Sequence, residues 1–236
     1  MTFSWKRSMA ILQKDFKDIS KNLYVSTTLF IPLLMAAMYS RMGIETVNSY
    51  FMVFNITFTL VATFIQCSLI AEEKEKNTLR GLMLSPASTL DIIGGKSLLS
   101  LIGTVIILAA SMLLMEYNPA NIVLISLALL FSAVFYIGMG TLLGLVTKNV
   151  MEASVAVMPI FLLFSFGSLI TAYTEQYPIL KIAEYMPNIQ LVELANQVES
   201  GAGLAGVWPN LGVILLWAIV VHILTVVVYK KRMVDE

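Results

Sequence analysis

Long uncharged runs most constrain what this chain can fold into. Each is about 18 residues or longer, which lets a helix cross a hydrocarbon layer of about 30 Å. Backbone groups in lipid must pair within the chain, so such runs are expected to be helices. The runs free of Asp, Glu, Lys and Arg are Leu23–Ser40, Val47–Ala71, Ser97–Met115, Tyr117–Thr147, Ala153–Thr174 and Ser200–Tyr229.

These runs predict an all-α polytopic membrane protein, folded as a single transmembrane domain over residues 1–236. Charged residues make up 13% of the chain and hydrophobic residues 58%, whereas soluble domains carry about 25% charged residues. No pair of runs is visibly self-similar, so no internal repeat is expected. We predict six spans, at about 23–41, 50–71, 97–115, 121–146, 153–173 and 209–229.

The basic residues predict the orientation. Thirteen of the fifteen Lys and Arg residues lie on the side of the two termini and of the segment between the second and third spans, and only Arg41 and Lys181 lie on the other side. Because basic residues in short loops stay in the cytoplasm, both termini and that segment are expected there. The other side has a modest excess of Glu, which suits either simple solvation or attraction of a cationic substrate.

The N-terminal 22 residues form an amphipathic pattern. Apolar residues at steps of four and three predict a helix with one apolar stripe that lies on the membrane surface. This helix is interpreted either as an anchor for the first span or as a lever packed against the cytoplasmic segment or a partner. The stripe consists of Trp5, Met9, Leu12, Phe16 and Ile19.

Polar residues share one face of the second span, at steps of four, four and three. They are Asn55, Thr59, Thr63 and Gln66. Two interpretations stay open, hydrogen bonding between helices and the lining of a translocation path. The only histidine, His222, falls in the sixth span, where it suits either helix packing or a proton relay. Glycines in the fourth span form a Gly140-x-x-x-Gly144 motif, which permits close approach of another helix.

A charged segment, residues 72–96, separates the second and third spans. Its acidic start favours a helix, on which Leu79, Leu82 and Met83 form an apolar face. Pro86 is expected to end this helix, and Ser88 with Asp91 resembles a capping box for the next. We interpret the apolar face as a docking surface for a soluble partner rather than as part of a solvated hairpin.

Catalysis and nucleotide binding by this chain are not expected. Gly95-Lys96-Ser97 has the ending of a phosphate-binding loop, but Leu90 occupies the position where that loop requires glycine. A single histidine and a single cysteine, Cys67, offer no metal-ligand cluster. The remaining classes are a transporter driven by a partner ATPase, a self-sufficient secondary transporter or channel, and a membrane enzyme. The second needs ion-coupling charges inside the spans, and the third needs catalytic groups that we do not find.

The charged segment resembles that of the ABC-2-type permeases, the membrane subunits of bacterial ABC exporters. Glu72 to Lys76, then Thr78-Leu79-Arg80-Gly81-Leu82-Met83-Leu84-Ser85-Pro86, then Gly95-Lys96, follow the family's motif, with Asn77 at a usual glycine. The size and layout are similar to permeases of Gram-positive exporters of peptide toxins and antibiotic peptides, including the staphylococcal phenol-soluble-modulin exporter.

The resemblance implies the remaining expectations. By this resemblance, residues 1–22 are expected to form a connecting helix and residues 72–96 a coupling loop. Residues 174–208 are expected to form an outer segment with short re-entrant helices. The partners are a cytoplasmic ATPase, which binds ATP and Mg²⁺, a second permease subunit, identical or different, and the bilayer of a bacterial cell membrane, without nucleic acid. No cofactor is expected in this chain. The expected substrate is an amphipathic peptide, drug or lipid-like molecule, and the implied coupling residues are Glu73, Glu75, Thr78, Leu79, Arg80, Leu82 and Met83.

Overall fold

The structure, a computed structural model, describes residues 4–78, 88–167 and 176–235. Helices account for nearly all of the described residues, which contain no β-strand. In chain order the helices are α1 (Trp5–Lys21), α2 (Leu23–Thr28), α3 (Phe30–Arg41), α4 (Val47–Thr57), a π-helix (Phe58–Thr63), α5 (Phe64–Glu75), α6 (Thr89–Leu114), α7 (Ile122–Val146), α8 (Val150–Ser165), a 3₁₀ helix (Pro178–Tyr185), α9 (Pro187–Glu199) and α10 (Leu204–Asp235).

Four stretches of helix in the described residues are long and apolar enough to cross a membrane. They are Val47–Glu75, which joins α4, the π-helix and α5, then Asp91–Leu114, Ile122–Val146 and Leu204–Tyr229. A fifth span is counted if Trp5–Lys21 and Val25–Arg41, which meet at an angle of 90°, are taken together as one. The chain is therefore a multi-pass, all-helical membrane protein.

The prediction of six spans stays a prediction. The first predicted span, 23–41, is divided at Leu29 into α2 and α3. Asn22 ends α1, and its side chain accepts a hydrogen bond from the backbone N–H of Val25 at 3.3 Å, which starts α2. The fifth predicted span begins in α8, but its residues 168–173 lie outside the described residues.

The second predicted span forms the centre of the bundle. Its helix is surrounded by α3, α6, α7, α8 and α9. In its most apolar 18-residue stretch, 94% of the residues are buried. The helix is buried on every face, since a full turn of consecutive residues is buried, namely Val53, Phe54, Asn55, Ile56 and Thr57. Any tilt of this helix must therefore displace most of the neighbouring helices.

The Gly140-x-x-x-Gly144 motif brings α7 against this central helix. A Cβ at position 140 would overlap the carbonyl oxygen of Thr63, and a Cβ at position 144 would lie 2.8 Å from the Cβ of Ile70. Below about 3 Å, carbon atoms cannot approach without displacing a helix. The motif is thus a close contact within one chain.

The segment between α8 and α10 folds back against the bundle. Leu191, Leu194 and Ala195 of α9 are fully buried, in contact with α7 and α10. Asn188 has the residue type of a helix cap but does not cap α9, because α9 begins at Pro187. The Asn188 side chain instead donates a 3.0 Å hydrogen bond to the backbone carbonyl of Phe164 in α8.

We predict that Gly140→Ala lowers the free energy of unfolding by about 1–3 kcal/mol, because the added methyl group overpacks the contact between α7 and the central helix. Gly212→Ala is the matched control, since no atom lies within 4 Å of a Cβ at that position. Thermal unfolding of the protein in detergent checks both variants. Equal melting temperatures for the two variants would contradict the assigned contact.

Candidate functional site: a three-helix junction

Three helices meet at the end of the central helix that precedes the charged segment: α1, the last turns of α5 and the start of α6. A buried ammonium group, that of Lys96 in α6, lies at their meeting point with a side chain only 1% exposed. Its Nζ lies 2.9 Å from Oδ2 of Asp15 and 3.2 Å from Oε1 of Glu73. It also donates to the backbone carbonyl of Leu69 at 3.4 Å. One lysine therefore joins all three helices.

Glu73 of α5 accepts two further hydrogen bonds. Lys14 of α1 donates to the same carboxylate oxygen that faces Lys96, and the hydroxyl of Thr78 donates to the other oxygen. Thr78 is the last described residue before the gap at residues 79–87. We call Lys14, Asp15, Glu73, Thr78 and Lys96 the junction cluster.

The far end of the charged segment is held to α1 as well. The carboxylate of Asp91 accepts hydrogen bonds from the backbone N–H of Ser4 at 2.7 Å and from Arg7 at 2.8 Å. It also accepts from the backbone N–H of Ser88 at 2.8 Å, while the Ser88 hydroxyl accepts from the Asp91 backbone. This reciprocal pair is the predicted capping box, which is confirmed. Thr78, through Glu73 and Lys14, and Asp91 are thus both connected to α1.

A glycine allows the close approach of α1 to α6. A Cβ at Gly95 would lie 2.7 Å from the backbone oxygen of Ser8 and 3.1 Å from the Cβ of Ile11. Ser8, Ile11 and Asp15, at steps of three and four, are the buried residues of α1. The Gly95-Lys96 pair therefore supplies both the space for α1 and the charge that binds it.

The end of α5 is also fixed to the turn between α7 and α8. The ammonium group of Lys74 donates to the carbonyl of Leu145 at 2.8 Å and to that of Thr147. The carboxylate of Glu75 accepts from the backbone N–H of Val150 at 3.1 Å. The two residues that follow Glu73 therefore contact a second turn.

Burial makes this arrangement electrostatically demanding. Desolvation raises the pKa of Asp15, although the positive charge of Lys96 opposes that change. Burial lowers the pKa of Lys14, but its hydrogen bond to Glu73 and the nearby carboxylates outweigh this and raise it above the ordinary value. Each carboxylate therefore depends on its lysine, because an unpaired buried charge is strongly destabilising.

The predicted coupling residues fall into three groups. Glu73 and Thr78 lie in the junction cluster, and Glu75 caps the start of α8. Leu79, Arg80, Leu82 and Met83 lie outside the described residues. Their roles as coupling residues stay predictions.

Sequence analysis missed the pairing of Lys14, Asp15 and Lys96. The sequence contained one sign of this pairing. Ser8, Ile11 and Asp15 share a face of α1 that differs from its apolar stripe. That face includes a carboxylate, which contact with a membrane surface does not require.

The apolar stripe of α1 points away from the junction. Trp5 and Phe16 are 58% and 60% exposed, while Met9 and Leu12 are half-buried. This exposure suits the predicted contact with the membrane surface, and a neighbouring face, with the buried Ser8, Ile11 and Asp15, carries the junction contacts. The two interpretations of α1, anchor and lever, are therefore compatible.

The polar face of the central helix is buried within the single chain. The Thr59 hydroxyl lies 3.0 Å from that of Ser165, and Thr63 donates to the carbonyl of Tyr136 at 3.0 Å. Gln66 donates to Thr141 at 2.9 Å, whereas Oδ1 of the buried Asn55 has no hydrogen-bond partner. These bonds favour the interpretation as contacts between helices, and the role as a translocation path stays a prediction.

His222 is an exposed residue of α10 with one edge of its ring beside α7. Its Nδ1 lies 2.8 Å from the carbonyl of Ala218 one turn earlier, and its ring occupies the space that a Cβ at Gly138 would fill. This geometry favours the interpretation as a packing residue.

A protein-family model described as "ABC-2 family transporter protein" matches residues 12–227. The match covers most of the chain, from the middle of α1 to the last third of α10, and it includes all five residues of the junction cluster. The chain therefore belongs to the ABC-2 transporter family, and it is the membrane component of a transporter rather than a catalytic subunit. A search of curated proteins found no match.

We predict that Lys96→Met lowers the free energy of unfolding by about 3–5 kcal/mol, because it leaves Asp15 and Glu73 buried without their shared counter-charge. Lys148→Met is the matched control, since it removes another basic residue from the same side of the chain at an exposed position. Chemical or thermal unfolding in detergent measures the difference.

A further variant tests the cause of that loss. Adding Asp15→Asn and Glu73→Gln to Lys96→Met removes the stranded charges and is expected to recover part of the stability. The assignment fails if Lys96→Met is no less stable than Lys148→Met, or if neutralising the carboxylates makes it worse.

Proposed function

We propose that this chain is the permease subunit of an ATP-driven exporter, and that residues 79–87 receive force from a separate ATPase subunit. The observation that carries the proposal is the junction, where α1 and the central helix hold both ends of that segment. A segment anchored in this way moves with the helices to which it is bound. The family membership supports an ABC ATPase as the partner.

The path of the force follows from the packing. A displacement of residues 79–87 reaches Thr78 and Glu73 at the end of α5 and Asp91 at the start of α6. Lys96 links these positions to α1, so the three helices shift together. Because the central helix contacts five other helices, its tilt alters packing across the bundle.

The π-helix Phe58–Thr63 is the proposed site at which the central helix yields. Its wider hydrogen-bonding pattern interrupts the α-helical ladder, and π-helical turns often occur at functional sites. Thr59 and Thr63 of the proposed path lie within it. A change in this turn would rotate the polar face of α5 relative to that of α4.

The remaining parts of the proposal follow from the family and the charge pattern. Both termini lie in the cytoplasm of a bacterial cell, and two permease subunits, identical or different, enclose the path. ATP and Mg²⁺ bind to the partner, and this chain needs no cofactor of its own. The proposed substrate is an amphipathic peptide, drug or lipid-like molecule.

The location of the buried charges disfavours a self-sufficient secondary transporter. Among the described residues, the buried Asp, Glu and Lys side chains are Asp15, Glu73, Asp91 and Lys96. All four belong to the junction or to the adjoining capping box, and each is paired. Ion coupling would need such a group along a path through the bundle.

We predict that Leu82→Asp or Leu79→Asp abolishes co-purification of the ATPase and abolishes transport, because a charge on the apolar face opposes its burial against a partner. Membrane insertion is expected to be unchanged. Leu204→Asp, at an exposed leucine at the start of α10 on the opposite side of the bundle, is the control. Co-purification and transport at wild-type levels in the Leu79 and Leu82 variants would exclude this docking surface.

A further inference from the structure

We propose that the exposed side of the 3₁₀ helix Pro178–Tyr185 is a docking surface for a second copy of this chain. The inference rests on the proposed dimeric permease and specifies one of its interfaces. It comes from the depth of this helix and from the side chains that it leaves uncovered.

The helix ends on the outside of the bundle, beside Trp217 of α10. The indole N–H of Trp217 donates a 2.8 Å hydrogen bond to the carbonyl of Tyr185. Trp217 lies roughly 12 Å along α10 from Pro209, where the last predicted span begins. Its ring centroid is 6.2 Å from that of Phe135, which lies near the middle of α7. Tyr185 is therefore placed in the outer half of the apolar layer.

The period of the helix sorts its side chains into three rows. In a 3₁₀ helix, residues three apart lie directly above one another. Leu180 and Ala183 form the inner row, in which Ala183 is buried. Ile179, Ile182 and Tyr185 form an apolar outer row, 81%, 79% and 65% exposed.

The remaining row carries charge of both signs. Lys181 and Glu184 lie one turn apart, and both are exposed. No salt bridge within 4.0 Å involves either side chain among the described residues. Two exposed rows, one apolar and one charged, therefore share one side of the helix.

Neither lipid nor water suits this surface. Exposure of the Glu184 carboxylate to lipid at this depth is unfavourable, since charged side chains within the membrane face protein or a water-filled cavity. Exposure of the apolar row of Ile179, Ile182 and Tyr185 to water is also unfavourable. A protein surface with apolar and charged parts accommodates both rows.

The charges identify that protein as a second copy. In a two-fold interface the same patch meets itself, so that a residue contacts its counterpart in both directions. Two such helices in antiparallel contact place Lys181 opposite Glu184 of the partner subunit, twice. The apolar rows then bury each other alongside the two ion pairs.

Disulfide cross-linking in native membranes tests the surface. Ile182→Cys is expected to form a covalent dimer of this chain on mild oxidation. Ile106→Cys, at an exposed position on α6, is the control and is expected to give several-fold less. The wild-type chain serves as the blank, because its Cys67 is buried.

Charge exchange tests the pairing. In the Ile182→Cys protein, Glu184→Lys sets like charges opposite each other and is expected to reduce cross-linking several-fold. Adding Lys181→Glu restores opposite charges and is expected to restore it. The proposal is overturned if Ile182→Cys cross-links no more than Ile106→Cys, or if the exchange does not restore cross-linking.

These measurements need neither ATPase nor transport. A failed ATPase docking test with successful cross-linking would reject the coupling proposal and keep this interface. Successful ATPase docking with failed cross-linking would keep the coupling proposal and reject this interface.

Discussion

The buried ammonium group of Lys96 is the interaction on which the junction of α1, α5 and α6 depends. It neutralises Asp15 of α1 and Glu73 of α5 while belonging to α6. A buried charge of this kind contributes little net stability once its desolvation is counted, but losing one partner is costly. The main effect of the Lys96 contacts is therefore to hold the three helices in one arrangement.

That arrangement connects the central helix directly to the charged segment that follows it. The helix is enclosed by its neighbours, and glycines at 140 and 144 let α7 contact its backbone. A small movement at Glu73 cannot be absorbed by loose packing, since protein interiors are close-packed. Force from outside the bilayer is therefore expected to reach the middle of the bundle.

The elements that depend on local pattern were predictable from the sequence. The helices of the apolar runs, the stripe of α1 and the Ser88–Asp91 capping box follow from composition and spacing. Contacts between distant segments were not predictable, because nothing in the spacing of Asp15, Glu73 and Lys96 shows that they meet. Asn188 has the residue type of a cap, but tertiary packing directs its side chain to α8.

Hydrogen–deuterium exchange of the complex with its ATPase, with and without a non-hydrolysable ATP analogue, tests the central claim most directly. The account predicts that the analogue changes amide protection in residues 79–87, in α1 and in α5 together. It also predicts that Lys96→Met confines the change to residues 79–87. A change limited to residues 79–87 in the wild-type protein, with α1 and α5 unaffected, would contradict the claim that the junction transmits force.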